Sequence, residues 1–172
     1  MTLSIPPFSI EVLSGVELTE IPFSLPGKIY RSAMPYGIYD PRGAIYPAYR
    51  ERQVSTVVVL VEREDIIRHS GRHLLQVYAQ DGLRVLHLPS RDFGVPDPVE
   101  LHRMVDDVLQ LVQSGENIAV HCLGGIGRTG LFLACLAKRV FGMEGEQAIT
   151  WLRGYIPGAV ETGEQRRMVN EF

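Results

Sequence analysis

Ile118-Ala119-Val120-His121-Cys122-Leu123-Gly124-Gly125-Ile126-Gly127-Arg128-Thr129-Gly130 joins an apolar run to a glycine-rich loop and then to a second apolar run. The pattern predicts a strand, a tight loop and the first turn of a helix. Gly124, Gly125 and Gly127 permit backbone torsions that most residues avoid, so successive N–H groups can turn inward as an anion nest. The nest faces a helix N-terminus, where the dipole and free amides favour negative charge. Cys122 lies at its floor, in a field that favours the thiolate, the nucleophilic form of cysteine. Arg128 lies at its rim, with a guanidinium able to hold two phosphate oxygens in a fork. One loop therefore carries a nucleophile and a receptor for the group it attacks.

Outward from this loop, strand and helix patterns alternate. Residues 28–33 read as a short strand, Pro35-Tyr36-Gly37 as a turn, and residues 43–52 as a short helix. Val54–Val61 is a continuous run rich in β-branched residues, as a strand buried on both faces should be. Residues 63–80 read as helix, broken at Ser70-Gly71, and 83–88 and 117–121 as two further strands. Helices are expected over 98–113, 128–141, 145–153 and 163–171. The chain thus reads as one α/β domain, a central, mostly parallel twisted sheet flanked by helices. Its glycine loop falls at a strand's carboxyl end, where such sheets bind ligands. Prolines 6, 7, 22 and 26 mark residues 1–26 as an irregular or edge-strand extension packed on a domain spanning 27–172.

The 172 residues suit a single domain with a full core. Seventeen basic and twenty acidic residues, net charge −3, are mixed along the chain. No basic run points to nucleic acid or to a membrane surface. No apolar stretch approaches the roughly 20 residues that span a bilayer, and residues 1–15 do not read as a signal peptide. Two cysteines argue against a disulfide scaffold and fit a reducing, cytoplasmic setting. Cys135, in an apolar helix, reads as core, with an oxidative disulfide to Cys122 as a minor alternative. His69 and His73 have i,i+4 spacing without a third ligand, so no metal is expected.

His121-Cys122-x5-Arg128-Thr129-Gly130 resembles the signature of the cysteine-dependent protein tyrosine and dual-specificity phosphatases. The resemblance implies in-line attack by Cys122 on phosphorus, a cysteinyl-phosphate intermediate and a phosphorylated protein substrate, without a cofactor. The loop Leu123, Gly124, Gly125, Ile126 and Gly127 would cradle the phosphate together with Arg128, which stabilises transition-state charge. Thr129 would hydrogen-bond the thiolate and help it leave. His121 would fix the loop through hydrogen bonds rather than take a proton.

Cleavage also needs an acid for the leaving oxygen. Asp92-x-Gly94-Val95-Pro96 resembles the family's mobile acid loop, with Ser90-Arg91 where the tyrosine-specific branch has Trp-Pro. Asp97 is the rival. It precedes Pro98 and a segment with apolar residues Leu101, Met104, Val105, Val108, Leu111 and Val112 at helical spacing, so it reads as an N-cap. Asp92 is therefore assigned to catalysis, with a plain turn role as its alternative. Val160–Gln165 resembles the family's glutamine loop, in which Glu161 replaces the first glutamine and Gln165 keeps the second. Thr162-x-x-Gln165 is equally a capping box. Gln165 can serve either purpose, and Glu161 can polarise the hydrolytic water or be simple surface.

Competing readings explain less. Gly125-x-Gly127-x-x-Gly130 matches a dinucleotide fingerprint, but no second strand follows. A Walker loop lacks its lysine, a rhodanese-like loop does not need Arg128-Thr129-Gly130, and a structural cysteine leaves the arginine unexplained. The expected activity is hydrolysis of phosphotyrosine, and of phosphoserine or phosphothreonine, in proteins. A lysine-free loop favours singly phosphorylated substrates. Hydrolysis of phosphoinositides or RNA 5′-phosphates by the same chemistry, and phosphoprotein capture without turnover, stay open. Binding alone, however, needs neither thiol nor acid.

Overall fold

β-branched residues decide the sheet, and the helices follow from what they must cover. The computed structural model describes residues 18–172. In chain order its elements are β1 (Thr19–Ile21), β2 (Ile29–Ser32), α1 (Ile45–Glu51), β3 (Val54–Val61), α2 (Arg63–Ser70), α3 (Leu74–Gln80), β4 (Arg84–Ser90), α4 (Pro98–Gln113), β5 (Asn117–His121), α5 (Gly127–Phe141), α6 (Gly145–Arg153) and α7 (Gly163–Glu171). The sheet order is β1-β2-β5-β3-β4, with β1 antiparallel and the other four strands parallel. Val57, Val58, Val59, Leu60 and Val61 are all buried, so both faces of β3 are covered.

Local signals set the helix boundaries. The Asp97 carboxylate accepts from the Glu100 N–H at 3.0 Å with Pro98 at the first helical position, which starts α4 as an N-cap should. Gly71 and Gly142 close α2 and α5 in the left-handed conformation. Helix α5 is buried from Gly127 to Ala137, and α4, α6 and α7 pack around it. Within it Cys135 is fully buried, and burial pushes its thiol up to about 12, so it is a neutral core side chain.

The sheet reaches back into the segment expected to be an extension. β1 pairs with β2, and Phe23 packs against Phe141 of α5 and Trp151 of α6 with ring centroids 5.8 and 5.3 Å away. The rest of that segment, including Pro6 and Pro7, lies outside the described residues.

The chain enters β2 through a tight crossing. The Gly27 N–H donates to Val112 O at 2.8 Å, and a Cβ on Gly27 would collide with Glu116 O. Gly27→Ala is therefore expected to destabilise the fold by about 1–3 kcal/mol. Gly163→Ala, with nothing within 4 Å of the new methyl, serves as a neutral control. Urea midpoints measure both, and an unchanged Gly27→Ala midpoint contradicts the packing described.

Candidate active site

Four parallel strands present their carboxyl ends along one edge of the sheet, and the candidate residues gather there. β5 delivers Cys122, β4 delivers Asp92, and β2 forms the bed of the glycine loop. Gly125 is the loop glycine that needs a left-handed torsion, with φ 72°, and a Cβ on it would collide with Ser32 O. Gly124 and Gly127 do not adopt positive φ, contrary to expectation. Gly127 is needed for another reason, because a Cβ there would collide with Glu161 Oε2. A Cβ on Gly124 would meet the exposed Tyr39 ring at ordinary contact distance, so that position is not closed to a side chain. The Met34 N–H donates to Leu123 O at 3.0 Å and fixes the loop's first residue. Ile126 caps α5 without a side-chain hydrogen bond, which leaves the first amides of the helix open to the loop.

Cys122 is 3% exposed, and its Sγ accepts from the Gly125 N–H at 3.2 Å. The expected bond from Thr129 to the sulfur is not formed: Thr129 Oγ1 is buried and makes no hydrogen bond. His121 is fully buried between Cys122 O, 3.0 Å from its Nδ1, and Tyr78 Oη, 3.1 Å from its Nε2. A carbonyl only accepts, so Nδ1 carries the proton and Nε2 accepts from the tyrosine. Burial first, then the nearby Arg128 and His87, lower the imidazole to about 4. His121 is thus a neutral brace for the loop.

Arg128 is 3% exposed, and a charge so buried needs partners. Its Nη1 donates to Ser90 O at 2.9 Å and to Leu60 O at 3.5 Å. Nη2 donates to Asp92 Oδ1 at 3.1 Å, while Nε is buried without a partner. One end of the guanidinium is therefore anchored to the backbone. The Nε–Nη2 edge, the side that grips an oxyanion through two parallel N–H groups, holds only the half-exposed Asp92 carboxylate. Asp92, not the capping Asp97, is the acid placed on the arginine.

The acid loop is locked to the start of α7. Thr162 Oγ1 donates to Phe93 O at 3.3 Å, and Gln165 Nε2 donates to Gly94 O at 3.2 Å. Gln165 Oε1 accepts from the Glu161 N–H at 2.8 Å, and the Gln165 N–H donates to Thr162 Oγ1, which completes the capping box. Both ends of the buried Gln165 amide are thus engaged by backbone. Phe93 holds a left-handed torsion, φ 60°, which is strained for a bulky residue and orients the turn after Asp92.

Sequence reasoning missed the partners that are carbonyls. Ser90 O, Leu60 O and Ser32 O carry no side-chain signature, and only the strand register predicts their positions. Tyr78 was equally invisible, since nothing in its local pattern links it to His121.

The brace has a pH signature. A histidine whose folded value lies below its ordinary value of about 6.5 adds stability that is complete above that value and is lost as pH falls toward the folded one. His121 should keep a neutral imidazole signal by NMR from pH 7.5 to 5, and the urea midpoint should fall over the same range. An imidazole titrating near 6.5 contradicts the placement.

Comparison with known proteins agrees with this geometry. The family model described as "Polymorphic toxin system, DSP-PTPase phosphatase" matches residues 35–140. Human cyclin-dependent kinase inhibitor 3 is 29% identical over 121 residues, which cover 69% of this chain and 57% of the relative. The chain thus spans little more than half the length of that curated relative. A structure of kinase associated phosphatase superposes with TM-score 0.81 at 22% identity, covering 90% of this chain and 92% of the other. Tk-PTP in its active form gives TM-score 0.71 at 30% identity, covering 84% and 90%. A signature loop on the central strand, an aspartate on its arginine and a matching family model lead to one conclusion: the chain belongs to the DSP-PTPase family of cysteine-dependent phosphatases.

Proposed function

We propose that this protein hydrolyses phosphotyrosine, and with it phosphoserine or phosphothreonine, in proteins through a cysteinyl-phosphate intermediate. The observation that carries the reading is the Nε–Nη2 edge of Arg128, turned toward the acid loop from a helix that begins five residues after Cys122. A phosphoryl group on that edge meets the loop amides on one side and the Cys122 sulfur beneath. The sulfur attacks phosphorus, the bond from phosphorus to the leaving oxygen breaks, and Asp92 gives that oxygen its proton. Water then attacks phosphorus, the S–P bond breaks with its electron pair returning to sulfur, and Asp92 takes a proton from the water. Arg128 and the amides hold the equatorial oxygens through both steps. The idle Thr129 hydroxyl beneath the loop is a donor for the departing sulfur, since a buried hydroxyl without a partner is costly.

Charge around the pocket supports singly phosphorylated substrates. The loop between Cys122 and Arg128 carries no lysine, and two carboxylates, Asp92 and Glu161, stand beside it. Additional phosphates on a lipid or a nucleotide would face that negative rim. Among the described residues no helix is long and apolar enough to cross a membrane. A reducing, cytoplasmic setting belongs to the same proposal, since it keeps Cys122 a free thiol.

Turnover of p-nitrophenyl phosphate without added metal should disappear in Cys122→Ser. Asp92→Ala should lower kcat by about 10²–10⁴ with poor leaving groups, whereas Asp97→Ala should cost stability of about 1 kcal/mol and leave kcat in place. Phosphotyrosine peptides should be turned over faster than phosphoinositides. Full activity in Cys122→Ser, or a preference for the inositides, overturns the reading.

A further inference from the structure

We infer that Arg31, on the strand that beds the phosphate loop, is the counter-charge that sustains Cys122 as a thiolate. This deepens the phosphatase reading above and rests on it, because it concerns the nucleophile of the first step. Arg31 acts through the sulfur, so it is a positioning residue.

Strand register brings the two together. Arg31 of β2 stands opposite Val120 of β5, and Ser32 stands opposite His121. Ser32 and His121 meet Tyr49 of α1 and Tyr78 of α3, which marks their face of the sheet. Side chains alternate along a strand, so Arg31 and Val120 turn to the other face. Cys122, two residues after Val120, continues that face where β5 ends. The ends of the two strands are also tied. The Met34 N–H donates to Leu123 O at 3.0 Å, and Gly125 presses on Ser32 O.

Arg31 has no carboxylate of its own. It is mostly buried, and its Nε is buried without a hydrogen bond. None of the ion pairs among the described residues includes it. Its register neighbours, Thr19 and Val120, are uncharged, and Glu20 is bound to Lys28 at 2.9 Å. A cation so placed is costly unless an anion compensates it. Burial pulls the guanidinium below its ordinary value, and Cys122 is the group whose charge opposes that fall.

The other charges at the site leave this part unfilled. Arg128 holds Asp92 at 3.1 Å, and its far end donates to Ser90 O and Leu60 O. Glu161 adds a second carboxylate in the field of Asp92 and Arg128. His121 is neutral, and His87 has its Nε2 on Val61 O at 2.8 Å. With Cys122 ionised, three anions would therefore meet one cation. Arg31 supplies the second positive charge from β2, and it leaves the Nε–Nη2 edge of Arg128 to the oxyanion.

Alkylation by iodoacetamide, a neutral reagent consumed by the thiolate, reads the charge on Cys122 directly. The tryptic peptide that ends at Arg128 reports Cys122 apart from Cys135. Arg31→Met removes the charge and keeps an unbranched stem. Its alkylation rate near pH 6 should fall about three- to tenfold and rejoin that of the unmodified protein near pH 9, where a thiol ionises unaided. Arg31→Lys should recover most of the rate at the lower pH. With p-nitrophenyl phosphate, the acid limb of kcat/KM should move toward higher pH in Arg31→Met. An unchanged alkylation rate near pH 6, equal slowing at every pH, or Arg31→Lys as slow as Arg31→Met overturns the inference. Alkylation needs no turnover, so an unmodified protein that alkylates as described yet hydrolyses no phosphomonoester would instead overturn the phosphatase reading itself.

Discussion

A guanidinium withdrawn from water must be satisfied by the protein around it, and Arg128 shows how far that requirement reaches. Its carbonyl partners, Leu60 O and Ser90 O, belong to the last turns of chain in β3 and β4, so the cation on α5 ties two strand ends to the helix. The same bonds fix which edge of the guanidinium remains for an oxyanion. They also set the distance from the arginine to Asp92, two residues beyond Ser90. Placement of the Asp92 carboxylate is thus a consequence of how a buried charge is neutralised.

Close approach of loops is the second constraint. Gly125 sits on Ser32 O, Gly127 on the Glu161 carboxylate and Gly130 on the Ala159-Val160 turn, and each position is too tight for a β-carbon. Phe93 and Val160 carry left-handed torsions on the two segments that flank the phosphate loop. Gln165 and Thr162 then join those segments to each other through Gly94 O and Phe93 O. A site assembled in this way has its dipoles oriented before substrate arrives, which is the condition under which electrostatic stabilisation contributes most. His121 adds to that rigidity from below, as a neutral ring spanning Tyr78 and the Cys122 carbonyl.

Much of this was legible in the chain, for local reasons. Val54–Val61 and Asn117–His121 announce themselves as strands because burial on both faces selects β-branched and apolar residues without alternation. Asp97-Pro98 marks a helix start because capping is a matter of three or four residues. Asp92 could be paired with Arg128 only through the resemblance of its loop, since 36 residues separate them. The partners of Arg128 at separations of 38 and 68 were not legible, because a carbonyl has no residue type and its position depends on register. Gln165 shows the boundary well. Its capping box spans three residues and could be read directly, whereas its bond to Gly94 O spans 71 and could not. The unpartnered state of Thr129 Oγ1 was not legible for a related reason, as the direction of a hydroxyl inside a helix follows from packing rather than from the signature.

The proposed hydrolysis turns on one covalent event, transfer of a phosphoryl group to Cys122. Acid quench during turnover of p-nitrophenyl phosphate, followed by tryptic digestion and mass spectrometry, observes it directly. The peptide that ends at Arg128 contains Cys122, and the next one contains Cys135, so the two thiols are resolved. The mass of one PO₃ group on the Cys122 peptide alone is the predicted result. Turnover with that peptide unmodified, or with phosphate carried by another residue, would contradict it.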